Sequence, residues 1–122
     1  MDKNIKKDKM STSLPIRLKI GRLGRGYKSR STFANACGVA ITTYRAHERG
    51  DYEPKASDLI KYTDTLDVSI PWLLTGRGHP LDHLAQPDAD VLAQFLYYVH
   101  LEDSKAQIKE SASQAVKRIL DT

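Results

Sequence analysis

Residues 29–50, SRSTFANACGVAITTYRAHERG, limit the fold more than any other part of the chain. Ser29 suits a helix N-cap, because its hydroxyl can accept from amides left unpaired in a first turn. Phe33, Ala34 and Cys37 then fall inward at helical spacing. Gly38 supplies the left-handed conformation that stops a helix. A second short helix follows over about 41–49, with Tyr44 and His47 three apart on one face, and Gly50 ends it. Two short helices joined by a tight turn at Gly38-Val39 can present the second helix to the major groove of DNA.

The flanks read as further helices. One starts near Ser13-Leu14, with Ser13 as cap and Pro15 in the first turn. Leu14, Leu18, Ile20 and Leu23 lie near one face, Arg17, Lys19, Arg22 and Arg25 surround it, and Gly24 and Gly26 end it. Beyond the loop closed by Pro54, a fourth helix over about 55–66 buries Leu59, Ile60, Tyr62 or Thr63, and Leu66. Val68 closes the core, and Ser69 caps a short fifth helix containing Pro71-Trp72-Leu73-Leu74. TGRGHP at 75–80 is a boundary.

The tail differs in kind. Asp88 or Asp90 can cap a helix carrying Val91, Leu92, Phe95, Leu96 and Val99. Glu102-Asp103-Ser104 predicts a break, with Asp103 or Ser104 as a new cap. Ile108, Ala112, Ala115 and Ile119 then recur at spacings of 4, 3 and 4, supported by Val116 and Leu120. This heptad-like row is too short for an independent coiled coil. It is buried either by folding back on the preceding helix or against a partner subunit.

Charge is unevenly distributed. Residues 1–55 hold 13 Lys/Arg against 5 Asp/Glu, a balance of +8, whereas 56–122 hold 6 against 10, a balance of −4. The basic front half suits a polyanion such as nucleic acid. Residues 1–13 read as a flexible basic arm, either without a role or lying along DNA phosphates or a minor groove. No apolar run approaches the ~18 residues a membrane span requires, and no apolar stretch follows the charged N-terminus as in a secretory signal. The single cysteine, Cys37, forms no internal disulfide, which fits a cytoplasmic setting. His79 and His83, four apart beside Pro80, lack the further ligands of a zinc site. Gly24, Gly26 and Lys28 miss the spacing of a phosphate-binding loop. Catalysis, a metal and a cofactor are therefore not expected.

On these residues the chain resembles the Cro/C1-type helix-turn-helix family of bacterial and phage repressors. Arg17-Leu18-Lys19 and Arg22-Leu23 match the family's first helix, Phe33-Ala34 and Cys37-Gly38-Val39 its second, and His47-Glu48-Arg49-Gly50 the close of its third. Pro54, Leu59, Leu66-Asp67-Val68-Ser69 and Trp72-Leu73-Leu74-Thr75-Gly76 match the remainder. The resemblance covers about 14–78. It implies an all-α, five-helix lambda-repressor-like domain over 14–78 with a C-terminal helical extension over 79–122.

The resemblance also implies roles. The third helix is the recognition helix, exposing Ala40, Ile41, Thr42, Thr43, Arg45 and Ala46. Arg45 is placed to reach a guanine edge or a phosphate, Ile41 and Thr42 a thymine methyl, and Thr43 a phosphate. Lys28, Ser29, Arg30 and Lys55 would meet the DNA backbone. Arg22 and Glu48 would pair between the first and third helices. Tyr44, Phe33, Leu59, Trp72 and Leu73 belong to the core, and His47 is packed or faces a phosphate. Ala40 departs from the usual Ser or Thr cap, and Ile41-Thr42 replace polar residues, so the base preference is this chain's own. The expected function is a sequence-specific transcriptional regulator, a repressor that binds double-stranded DNA as a homodimer joined through the C-terminal helices. The alternative is an antitoxin or other protein-binding module of the same fold, whose helical tail holds a partner protein.

Overall fold

The computed structural model describes residues 12–121, and positions 1–11 of the expected basic arm lie outside the described residues. Among the described residues there are six α-helices and no strand: α1 (Leu14–Gly24), α2 (Arg30–Cys37), α3 (Ile41–Arg49), α4 (Ala56–Leu66), α5 (Ile70–Thr75) and α6 (Ala89–Asp121). The all-α class and the order of the first five helices agree with the sequence.

Local chemistry sets most of the boundaries. Ser29 Oγ accepts from the Thr32 amide at 3.2 Å and so starts α2. Gly38 closes α2 at φ 73°, and the Val39 amide returns to the Ala34 carbonyl at 3.0 Å. Gly50 ends α3 in the same way at φ 81°. Ser69 caps α5 through the Trp72 amide at 3.3 Å. Ser13 occupies the N-cap of α1 but makes no side-chain cap bond, and Pro15 pre-shapes that turn instead. Ala40 starts α3 with no side-chain cap at all.

A cluster of rings joins α2, α3 and α4. Phe33 and Tyr44 meet edge to face with centroids 5.0 Å apart, and Tyr44 and Tyr62 do so at 5.5 Å. Such pairs add roughly 0.5–1.5 kcal/mol each beyond their buried area. Leu18, Ile20, Leu66, Val68, Trp72 and Leu73 complete this centre. Leu59 is only partly buried. Ile60 is 60% exposed, against the expectation of burial. Tyr62 and Leu66, four apart, set the inner face of α4, and Ile60 stands about 200° around the helix from Tyr62.

Arg17, expected on the polar rim, is buried. Its Nε donates to the Leu73 carbonyl at 2.7 Å and its Nη2 to the Leu74 carbonyl at 3.1 Å. It thereby satisfies carbonyls that the end of α5 leaves open and ties α1 to α5.

The largest correction concerns the tail. α6 runs unbroken for 33 residues, with no interruption at 102–104. Asp88 Oδ1 caps its start, accepting from the Asp90 and Val91 amides at 2.9 and 3.1 Å. Glu102 does not end a helix, because its carboxylate takes Lys19 of α1 and Lys105 of α6, each at 3.2 Å. Asp and Ser cost only a few tenths of a kcal/mol inside a helix, roughly 0.7 kcal/mol at most, and with no Gly or Pro present the helix continues through them. Folding of the distal tail back onto its own first half is thereby ruled out.

The first half of α6 packs on α1 through Phe95 and Val99, both buried. Phe95 lies over Gly24 so closely that a Cβ there would be 2.3 Å from the ring. The Arg25 guanidinium covers the same ring, 5.3 Å from its centroid. Beyond Asp103 no described residue of α6 is fully buried.

Candidate nucleic-acid interface

α3 is held by its inner face. Tyr44 and His47 are buried, as their shared face predicted, and His47 is packed rather than turned to solvent. Its Nδ1 lies 2.7 Å from the Tyr62 hydroxyl. Burial lowers the His47 pKa, outweighing the opposite pull of Asp58, and keeps the ring neutral.

Glu48 is the polar anchor. Its side chain is 4% exposed. It accepts from Arg22 Nε at 2.8 Å, from the Tyr44 hydroxyl at 2.6 Å and from Arg30 Nε at 2.5 Å. Burial pushes its pKa up, but the bonds from Arg22, Tyr44 and Arg30 outweigh that and hold the carboxyl below its ordinary value. The expected Arg22–Glu48 pair is therefore present. Arg22 also reaches the Tyr27 and Lys28 carbonyls, each at 2.8 Å, so the turn before α2 hangs on the same guanidinium.

Two of the residues expected on the outer face are placed differently. Ala46 is only 6% exposed and faces the core, so it leaves the contact surface. It is the neighbour of His47 and lies two residues from Tyr44, and a nine-residue helix fixes its phase only once packed. Ile41 is half-buried against the core, which limits it to a partial contact. Ala40, Thr42 and Arg45 are exposed, and Thr43 is half-buried.

Cationic groups flank α3 on both sides. Arg30, Arg45 and Arg49 surround one depression of about 320 Å³. Arg30 is half-exposed beyond its bond to Glu48, and Arg49 pairs with Asp51 at 2.7 Å. On the other side, Ala40 and Thr43 face Lys55 and Lys61 across a cavity of about 400 Å³. Lys55 is the N-cap residue of α4 and has no side-chain cap bond. Lys28 and Ser29 stand exposed just before α2, next to Arg30. The sequence reading missed Arg49 and Lys61. Arg49 was findable, being one helical turn beyond Arg45, whereas Lys61 meets Thr43 only through the packing of α4.

This arrangement suits a polyanion. Exposed guanidinium and ammonium groups border a helix whose outer side offers a methyl at Thr42 and a fork of donors at Arg45. Among the described residues no helix is long and apolar enough to cross a membrane.

Comparison with known proteins agrees. Residues 18–73 match the helix-turn-helix family model. A Haemophilus influenzae protein described as an uncharacterized HTH-type transcriptional regulator is 38% identical over 47 residues, covering 38% of this chain and 20% of that protein. The chain thus matches about a fifth of that relative's length. No solved structure matches the chain. Residues 18–73, which run through α1–α5 with α3 seated on the Glu48 anchor, are thus similar to the Cro/C1-type helix-turn-helix family.

Proposed function

We propose that the chain is a sequence-specific transcriptional repressor of the cytoplasm that binds a two-fold operator as a dimer. In this reading residues 14–78 bind DNA and 79–122 join the subunits. The observation that carries it is the exposed Arg45 on a helix fixed from behind and flanked by cations. Arg45 and Thr42 discriminate between bases, with a partial contribution from Ile41. Lys28, Ser29, Arg30, Ala40, Thr43 and Lys55 contact the phosphate backbone, joined by Arg49 and Lys61. Recognition helices of the two copies enter major grooves one turn apart, about 34 Å. Repression follows from occupying promoter DNA, so no cofactor takes part.

The test is selection of bound DNA from random fragments, followed by titration of the selected site at several salt concentrations. A selected two-fold site bound well above bulk DNA is the expected result. Equal binding to all sequences would sink the repressor reading. The exposed apolar row on α6 favours a second reading, in which the same fold serves as an antitoxin or other module that captures a partner protein.

A further inference from the structure

Two sides of α6 are apolar, and they point in different directions. Phe95 and Val99 face α1, and Glu102 continues that side toward Lys19. At about 100° per residue, the row through Leu101, Ile108, Ala112, Ala115 and Ile119 is turned roughly 130° from that docked side. Leu101 is 37% exposed and Ile108 68% exposed. Because α6 is one unbroken helix, this row cannot swing back onto its own domain.

The row fits a reversed copy of itself. Paired antiparallel about Glu110, Leu101 stands opposite Ile119, Lys105 opposite Ala115, and Ile108 opposite Ala112. Two of these layers set a long side chain over an alanine, which lets the helices approach closely. Lys105 selects the same direction, because an in-register parallel pair would set Lys105 against Lys105 within the seam.

We propose that α6 pairs with α6 of a second copy of this chain, antiparallel about a two-fold axis at the level of residue 110, with Ile108 of each copy over Ala112 of the other. The pairing rests on the dimeric reading above and specifies its interface, direction and register. It also sets a spacing. Val99, the last fully buried docking residue, lies 11 residues from the axis. At 1.5 Å per residue the two docking points are roughly 33 Å apart.

Cysteine crosslinking of the full chain tests the direction. In a Cys37→Ala background, an Ile108→Cys chain and an Ala112→Cys chain are oxidised separately and as a mixture. The mixed disulfide should dominate, with little self-crosslinking of either. Self-crosslinking at 108 or at 112 that outweighs the mixed product overturns the antiparallel register. Sedimentation tests the pairing itself. The intact chain should sediment as a dimer and Ile108→Glu as a monomer with unchanged helical circular dichroism. An intact chain that stays monomeric overturns the pairing and leaves the row to a different protein. Mixed crosslinks without preferred DNA would keep the pairing while defeating the repressor reading.

Discussion

α3 and the distal half of α6 are both helices with one side turned to solvent, but they are held in opposite ways. Three donors converge on Glu48 of α3, and the neutral His47 is packed against Tyr62. Among the described residues, none beyond Asp103 in α6 is fully buried. Ile108 is 68% exposed, and Lys105 pairs with Glu102, which is already engaged by Lys19. A fixed helix suits reading a rigid groove, where a displacement of an ångström misplaces a bidentate contact. A helix held only by its own continuity suits a surface that is completed by something else.

The sharpest test of this contrast is Glu48→Ala. It leaves the Arg22 guanidinium, whose side chain is 4% exposed, without its carboxylate. Removing one member of such a buried pair costs about 3–5 kcal/mol, measured by urea unfolding. Glu110→Ala in the distal half should change stability by less than ~0.5 kcal/mol. Comparable losses would break the contrast.

Gly24→Ala tests where anchorage of α6 stops. A Cβ at Gly24 meets the Phe95 ring at 2.3 Å, so the ring must move or α6 must lift. A cost of about 1–3 kcal/mol is expected. Hydrogen exchange should rise around Phe95 and Val99 while α3 stays protected.

Arg45→Ala separates holding α3 from using it. Arg45 is exposed, so stability should move by less than ~0.5 kcal/mol. Discrimination at one base position should fall by roughly 1–3 kcal/mol, read by competition between selected and altered sites. A uniform loss on all sequences would assign Arg45 to a phosphate.

The smallest effect expected is a pH dependence from His47. Its folded pKa is lowered by burial, so the unfolded chain takes up the proton first as pH falls. The stability that comes from keeping the ring neutral is present above the unfolded value of about 6.5, and is lost as pH falls through the lower folded value. Urea midpoints between about pH 7 and 5 should show that decline, and it should flatten in His47→Phe.

Where one side chain decides a local event, the sequence was readable. Ser29, Gly38, Gly50 and Ser69 mark their helix ends through capping or a left-handed backbone. The Arg22–Glu48 pair followed from the family resemblance rather than from spacing. Less was readable where a distant partner decides. Arg17 finds its carbonyls 56 and 57 residues away, and nothing local marks it as buried. Glu102 looked like a helix end because Lys19, far back on α1, was absent from the local pattern. Ala46 and Ile60 were misjudged because short helices leave their phase to packing.

The notch at Gly24 has a geometric consequence. Since it accepts the Phe95 ring flush against the α1 backbone, it fixes the depth and inclination at which α6 leaves the domain. In an assembly joined through α6, a small error in that inclination is multiplied along the lever between the two DNA-binding heads. A single missing methyl group, remote from any base, would then calibrate which operator spacings the protein can span.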